Sequence, residues 1–108
     1  MYLVDDSGQR IPSSYEERDD TGVARVSLES PAPAGSASLH IEYSATFNTA
    51  ANGLYRVERN GESYAATQFQ PISARRAFPG FDEPAFKVPF DLSIVTRAGD
   101  TAITTTPE

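Results

Sequence analysis

Apolar and polar residues alternate with a period of two along most of this chain. The alternation over residues 38–47 predicts a half-buried strand of about ten residues. The same pattern predicts a strand over residues 24–29 and another over residues 88–95, where Pro89 indicates a sheet edge or a bulge. Shorter alternating runs predict further strands at residues 2–4, 11–16, 54–58 and 64–67.

Turn-forming residues separate these runs. The strongest signal is Asn60-Gly61, because both residues tolerate the positive φ of a tight hairpin turn. No long stretch has a convincing helical period, although Ser73 can cap one helical turn within residues 73–78 before Pro79 ends it. The sequence therefore predicts an all-β fold: a single domain over residues 1–108, built as an antiparallel β-sandwich of about seven strands.

Composition limits the function classes. The chain has no cysteine, so neither a disulfide nor a thiolate site can form. Its formal net charge is −6, and the acidic residues concentrate between Asp5 and Asp20. The negative electrostatic potential of these residues repels phosphate groups, which argues against nucleic-acid binding. We interpret that cluster as solvated surface; calcium binding is the alternative, without the D-x-D-x-D-G spacing. No apolar run approaches the ~20 residues of a membrane helix.

His40 is the single histidine and lies on the polar phase of its predicted strand. A zinc site needs several ligands, and the chain has no second His and no Cys to supply them. A Ser-His-Asp triad is the alternative role, but no Ser lies in a G-x-S-x-G elbow. We therefore interpret His40 as an exposed strand residue and predict neither a catalytic residue nor a metal ligand in this chain.

Charged, amide and aromatic side chains are most concentrated in Thr67–Pro84, which reads TQFQPISARRAFPGFDEP. Adjacent residues of an extended chain point apart, so Asp82 and Glu83 make a poor acid/base pair. We interpret Arg75, Arg76, Asp82 and Glu83 as a structural clasp, in which a carboxylate accepts a guanidinium fork and backbone N–H groups.

Gln68 and Gln70 are two residues apart, so in an extended segment their side chains point the same way. Two neutral amides on one face can present acceptors to the ammonium group of a ligand. They can equally cap backbone groups, and the chemistry of the residues leaves both roles open.

Several motifs resemble the N-terminal β domain of the aminopeptidase N family of zinc metallopeptidases. They are Gly53-Leu54-Tyr55-Arg56, Thr67-Gln68-Phe69-Gln70-Pro71, Ala74-Arg75-Arg76-Ala77-Phe78-Pro79 and Phe81-Asp82-Glu83-Pro84. The resemblance is strongest over residues 36–97, and this combination at this spacing is highly specific.

The resemblance implies a parent enzyme that removes one residue from a peptide N-terminus, using zinc held in a catalytic domain that this chain lacks. The chain itself would be an inactive, metal-free fragment of a saddle-like N-terminal domain. Gln68 would line the pocket for the first side chain of the substrate. Gln70 would contact the free α-amine, less strongly than the Glu that many members carry. Arg75, Arg76, Asp82 and Glu83 would brace the loop and its junction with the catalytic domain.

Two other functions remain open from the sequence: a free-standing β-sandwich module for binding or adhesion, and a stand-alone regulatory remnant of the peptidase fold. On the peptidase interpretation, the expected partners are a peptide substrate and the catalytic domain. Because the family's domain has earlier strands that this chain lacks, we also expect orphan strand edges and self-association through them.

Overall fold

The computed structural model describes residues 1–105, which form six β-strands and one short 3₁₀ turn at Ala74–Arg76. The strands are β1 (Tyr2–Asp5), β2 (Arg10–Glu17), β3 (Ala24–Leu28), β4 (Ala37–His40), β5 (Gly53–Arg59) and β6 (Glu62–Gln68). All strand pairs in the two sheets are antiparallel. The predicted all-β, antiparallel class is confirmed, with six strands where about seven were expected.

The first sheet has the strand order β3-β2-β1-β4. Leu3 on β1 lies between Ile11 of β2 and Leu39 of β4 in the register, so apolar residues meet at the centre of the sheet. Ile11 is 1% exposed, and within residues 1–105 it is the one apolar side chain that is fully buried. Burial of apolar area is the main driving force for folding, so this small core leaves much of the stability to hydrogen bonds and polar contacts.

The turn between β1 and β2 is organised by Asp5, which is 7% exposed. Its Oδ1 accepts hydrogen bonds from the Ser7 backbone N–H, the Ser7 hydroxyl and the Gln9 backbone N–H. The Ser7 hydroxyl and these N–H groups lower the pKa of Asp5, because they stabilise the charged carboxylate. The acidic cluster is therefore not uniformly solvated: Asp5 is committed to this turn.

The second sheet is the hairpin of β5 and β6. Its two-residue turn is Asn60-Gly61, with φ values of 54° and 81°. Positive φ at both central residues matches the right-handed twist of the flanking strands. The hairpin predicted from Asn-Gly is confirmed, and its register places Gly53 opposite Gln68 at the open end.

The strand predicted over residues 38–47 is shorter than expected. Only Ala37–His40 forms a strand, and residues 41–47 lie outside any ladder. The physical reason is the partner: β4 pairs with β1 from Asp5↔Ala37 to Tyr2↔His40, and no strand within residues 1–105 pairs with residues 41–47. An alternating pattern favours a strand, but a β-ladder also needs the backbone of a neighbouring strand.

The strand predicted over residues 88–95 is absent for a related reason. These residues form no helix, strand or turn, and no strand of the region 1–105 pairs with them. Their apolar side chains are exposed instead, including Phe90 at 69% and Leu92 at 66%. The segment keeps the composition of a strand without a partner.

The helical turn predicted within residues 73–78 is confirmed at Ala74–Arg76. Ser73 occupies the N-cap position, but its side chain makes no capping hydrogen bond. The turn is held instead through the backbone, since the Ser73 N–H donates to the Phe69 carbonyl at 2.7 Å.

We expect Gly53→Ala to destabilise the hairpin more than Gly61→Ala. Both glycines have positive φ, at 67° and 81°, so an alanine costs about 1 kcal/mol of backbone strain at either position. At Gly61 the new Cβ meets nothing within 4 Å, whereas at Gly53 it lies 2.7 Å from the Arg76 Cβ and 3.3 Å from the Ser73 carbonyl oxygen. That overlap adds about 1–3 kcal/mol. Urea unfolding of both variants measures the difference, and equal losses would contradict the close approach.

Candidate functional site

The candidate site lies at the open end of the β5–β6 hairpin. Gln68 is the last residue of β6, and Gln70 follows it at the start of the loop. Both side chains are exposed, while Phe69 between them is half-buried. The structure therefore places the two amides on the solvent side, with the aromatic ring turned toward the protein.

The two amides contact each other directly. The Gln68 Nε2 donates a hydrogen bond to the Gln70 Oε1 at 2.9 Å. Within residues 1–105, neither side chain makes a further hydrogen bond, so neither amide is used to cap the backbone. An amide oxygen has two lone pairs, so the pair still offers the Gln68 Oε1 and one lone pair of the Gln70 Oε1 as acceptors.

Aromatic packing fixes the loop that carries these amides. The Phe69 ring meets the Phe78 ring edge to face, with centroids 5.7 Å apart. Phe78 in turn contacts Phe90 at 5.9 Å. Edge-to-face pairs add stabilisation beyond the buried area. Phe69 and Phe78 thus clamp the start and end of the loop over residues 69–78.

The structure brings Arg75 and Asp82 together in a fork. The Asp82 carboxylate accepts hydrogen bonds from the Arg75 backbone N–H at 2.9 Å, from Nε at 2.8 Å and 2.9 Å, and from Nη2 at 2.6 Å. The Asp82 side chain is 5% exposed and that of Arg75 is 22% exposed. Charge-assisted, bidentate pairs of this kind are the strongest hydrogen bonds in proteins.

The same arginine also links its 3₁₀ turn to the loop between β2 and β3. Its Nη1 donates to the Thr21 carbonyl oxygen at 3.0 Å, in the loop between β2 and β3. The adjacent Gly22 leaves room for this approach, because a Cβ there would lie 3.0 Å from the Arg75 Cδ. Arg75 therefore connects the loop after β6 to the first sheet.

The fork shifts both titrating groups in the expected directions. Hydrogen bonding from the Arg75 guanidinium lowers the pKa of Asp82, and partial burial opposes this effect. Hydrogen bonding to Asp82 raises the pKa of Arg75. Both groups are therefore charged at neutral pH, as a structural ion pair requires.

The other two residues of the predicted clasp are placed apart from it. The Arg76 and Glu83 side chains are exposed, and within residues 1–105 neither makes a hydrogen bond or ion pair. Glu83 acts on Arg75 only as a nearby negative charge. The Arg76 Cβ has a packing role, since it lies against Gly53.

The sequence interpretation missed several residues that hold the site. The Asn48 Nδ2 donates to the Asn52 carbonyl at 2.8 Å, and the Asn48 backbone pairs with β5 beside Tyr55. The Tyr43 hydroxyl donates to the Ala77 carbonyl at 3.1 Å. Asn52-Gly53 is a local turn signal near Asn48, but no local signal reveals the contact of Tyr43 across the chain.

The described residues offer no place for a metal ion. Nowhere in residues 1–105 do three or more His, Cys, Asp or Glu side chains gather as ligands. His40 stacks on the Tyr2 ring at 4.8 Å, and the Arg10 guanidinium lies 4.7 Å from the same ring. In the same region, no helix has the length and apolar character to cross a bilayer.

Comparison with known proteins places this geometry in context. The family model described as Peptidase M1 N-terminal domain matches residues 4–108. Aminopeptidase M1-B of Oryza sativa subsp. japonica is 33% identical over 101 residues, which cover 90% of this chain and 12% of the rice protein. Probable M1 family aminopeptidase 1 of Encephalitozoon cuniculi is 37% identical over 90 residues, covering 81% of this chain and 10% of that protein.

A third relative is similar over a shorter stretch. Aminopeptidase M1-A of Oryza sativa subsp. japonica is 39% identical over 79 residues, covering 69% of this chain and 9% of the relative. The chain thus spans 9% to 12% of the length of these curated relatives. No solved structure matches the chain.

We expect Asp82→Asn to lower the free energy of unfolding by about 1–3 kcal/mol, because it removes the charge from hydrogen bonds that a buried carboxylate accepts. Glu83→Gln is the matched control: it neutralises the neighbouring, exposed carboxylate and should change stability by less than about 0.5 kcal/mol. Urea unfolding at neutral pH compares the two.

The same ion pair sets a pH dependence. Because the pKa of Asp82 is lower in the folded state, its contribution to stability is present above the unfolded value of about 4 and is lost as pH falls through the folded pKa. Asp82→Asn should therefore flatten the acid side of the stability curve, with a residual slope from Asp5 and Asp19, whose pKa values are also lowered. An acid slope identical to that of the parent chain would show that Asp82 is not the titrating group.

Proposed function

This chain belongs to the peptidase M1 N-terminal domain family, and from that membership we propose that it is the non-catalytic part of a zinc-dependent aminopeptidase, where it helps to bind the amino end of a peptide substrate. Its named relatives are aminopeptidases. The observation that carries the finer proposal is the pair of exposed, mutually hydrogen-bonded amides of Gln68 and Gln70.

The amide pair can accept hydrogen bonds from an ammonium group. The Gln68 Nε2 holds the Gln70 Oε1 in one orientation, so that the second lone pair of this oxygen is presented without a search over rotamers. A substrate α-ammonium carries three N–H donors, and two acceptors of the pair remain open to them. The aliphatic stem of Gln68 then lines the space for the first side chain of the substrate.

Gln70 sets the strength of this contact. Its amide is neutral, and a neutral acceptor binds an ammonium less strongly than a carboxylate does. The chain therefore supplies orientation more than affinity, and the main countercharge for the amine comes from elsewhere in the parent enzyme.

The reaction itself takes place outside these residues. In a parent enzyme, a zinc ion held by residues outside this chain would supply Lewis-acid chemistry for peptide hydrolysis. The residues of this chain do not fit a zinc ion, because within residues 1–105 no three His, Cys, Asp or Glu side chains lie close enough together to bind one. We propose no catalytic step for this chain.

The clasp and its surroundings have a supporting role. The Arg75–Asp82 pair holds the loop that carries Gln70, while the exposed Arg76, Glu83 and Phe81 face outward beside it. Phe81 is 79% exposed, and an aromatic side chain of this exposure next to charged groups is typical of an interface. We propose that this surface contacts the catalytic part of the parent enzyme. In the chain alone, exposed strand edges favour self-association.

We expect the purified chain to release no N-terminal residue from peptides and to contain no stoichiometric zinc, because it lacks a ligand set. Amino-acid release from leucine p-nitroanilide and elemental analysis after dialysis measure both properties. The coding sequence downstream should encode His-Glu-x-x-His. Peptidase activity that survives repurification would refute the non-catalytic assignment, and a gene without a downstream metal motif would favour a free-standing binding module.

We expect leucinamide to perturb the side-chain amide NMR signals of Gln68 and Gln70, and N-acetyl-leucinamide to leave them unchanged, because acetylation removes the ammonium donors. Gln70→Glu should strengthen the binding of leucinamide roughly fivefold, as the acceptor becomes charged. Gln9→Glu is the matched control. It makes the same charge change at an exposed residue of the β1–β2 turn, away from the site. Equal responses to the two ligands, or equal effects of the two variants, would contradict the proposed amine contact.

A further inference from the structure

Two turns of the first sheet share one sequence pattern. The turn between β1 and β2 reads Asp5-Asp6-Ser7-Gly8, and the turn between β2 and β3 reads Asp19-Asp20-Thr21-Gly22. Gly8 and Gly22, which end the two patterns, have nearly equal φ values of 84° and 87°. Both values lie in the left-handed region that favours glycine. We refer to these segments as the Asp5 turn and the Asp19 turn.

The leading aspartate organises each turn in the same way. The Asp5 Oδ1 accepts hydrogen bonds from the Ser7 backbone N–H at 3.0 Å and from the Ser7 hydroxyl at 2.7 Å. The Asp19 Oδ1 accepts them from the Thr21 backbone N–H at 2.9 Å and from the Thr21 hydroxyl. The Thr21 hydroxyl and N–H lower the pKa of Asp19, because they stabilise its charged form. Asp19 therefore fixes the backbone of Thr21.

The two turns differ in what lies against them. A Cβ added at Gly8 would meet nothing within 4 Å, whereas one at Gly22 would lie 3.0 Å from the Arg75 Cδ. The Arg75 Nη1 also donates to the Thr21 carbonyl oxygen at 3.0 Å. Within residues 1–105, no side chain donates to the equivalent carbonyl of Ser7. The Asp19 turn is therefore in contact with Arg75, and the Asp5 turn is not.

Arg75 connects the Asp19 turn to the loop that carries Gln70. It lies in the 3₁₀ turn, and its backbone N–H and guanidinium bind the same carboxylate. Just before that turn, the Ser73 N–H donates to the Phe69 carbonyl at 2.7 Å. Gln70 lies inside the short loop that this hydrogen bond closes. The position of Arg75 thus bears on the backbone that presents the Gln70 amide.

We propose that Asp19 is a positioning residue for the amine contact: it orients the Thr21 carbonyl, which holds Arg75 beside the loop that carries Gln70. The proposal rests on the function proposed above for Gln70, and it adds a residue that touches neither the substrate nor the amide pair. The role of Asp19 is geometric, since its two hydrogen bonds to Thr21 need an acceptor oxygen and not a charge.

The competing interpretation is that Asp19 only stabilises the hairpin of β2 and β3. Asp5 provides the matched comparison, because it forms the equivalent turn in the same sheet without contacting Arg75. A residue that only stabilises the sheet would affect the candidate site no more than Asp5 does. The repeated pattern therefore gives the chain an internal control.

NMR spectroscopy of the ¹⁵N-labelled chain tests the proposal. Asp19→Ala should speed hydrogen exchange of the Arg75 Nε–H about fivefold and shift the side-chain amide signals of Gln70, because the Thr21 carbonyl loses its fixed orientation. Asp19→Asn should leave both at the parent values, since an amide oxygen also accepts two hydrogen bonds. Asp20→Ala removes the same charge from an exposed side chain without hydrogen bonds in residues 1–105, and it should change neither.

Binding of leucinamide gives the functional readout. Asp19→Ala should raise its dissociation constant about threefold, because the loop that presents the Gln70 amide is less well fixed. Asp19→Asn and Asp5→Ala should leave the dissociation constant unchanged. Circular dichroism at the temperature of the titration verifies that each variant is folded.

Two glycine variants test the contact without removing a carboxylate. Gly8→Ala and Gly22→Ala each place a Cβ at a left-handed φ, so their backbone strain is matched. The new Cβ meets Arg75 only at Gly22, so Gly22→Ala alone should shift the Arg75 Nε–H signal and weaken leucinamide binding about threefold. This pair decides the question even if Asp5→Ala does not fold.

Each result decides the proposal. Effects of Asp19→Ala and Gly22→Ala on Arg75 and Gln70 that Asp5→Ala and Gly8→Ala do not share would support it. Equal effects within either pair would overturn it, as would an Asp19→Asn variant that behaves like Asp19→Ala. If the parent chain does not bind leucinamide, the amine contact itself is wrong, and the Arg75 and Gln70 signals still show whether Asp19 positions the loop.

Discussion

The ion pair of Arg75 and Asp82 is the constraint on which the candidate site depends. Four hydrogen-bond contacts from Arg75 converge on the nearly buried Asp82 carboxylate, and a fifth reaches the Thr21 carbonyl in the loop between β2 and β3. One fully buried apolar side chain within residues 1–105 cannot order a long loop by itself. The charged fork therefore does what a larger core does elsewhere, and it closes the loop against the open end of the hairpin.

Gly53 makes that closure sterically feasible. It lies opposite Gln68 in the ladder, and its missing Cβ leaves room for the Arg76 Cβ and the Ser73 carbonyl. The position of the amide pair thus follows from a backbone contact on one side of the loop and an ion pair on the other. Such a support fixes the backbone that carries the two exposed glutamine side chains, whose amides are joined by one hydrogen bond.

Two segments within residues 1–105 have a strand-like pattern but no strand partner. Residues 41–47 and 88–95 have the alternation of strands, yet neither joins a sheet. The chain spans 9% to 12% of its relatives, and strand-like segments without partners are consistent with a part of a larger β-structure. Their exposed apolar side chains and open backbone groups make them reactive toward any matching strand.

Local sequence determined the features that depend on neighbouring residues. Asn60-Gly61 predicts the hairpin because its positive φ values suit a two-residue turn. The alternating patterns of β2, β3, β5 and β6 predict strands correctly because each of these strands has a pairing partner close in the chain. The spacing of Gln68 and Gln70 indicates that their side chains lie on the same side of the backbone. The motif that contains them resembles the peptidase family to which the family model also assigns the chain.

Tertiary structure alone decided which of these possibilities were realised. Whether an alternating segment becomes a strand depends on a distant backbone, so residues 41–47 and 88–95 could not be judged from their own pattern. The choice of Arg75 over Arg76, and of Asp82 over Glu83, depends on which side chains point toward each other once the loop closes. The Thr21 carbonyl, the Tyr43 hydroxyl and the hydrogen bond between the two amides are likewise set by three-dimensional proximity, which no local sequence pattern encodes.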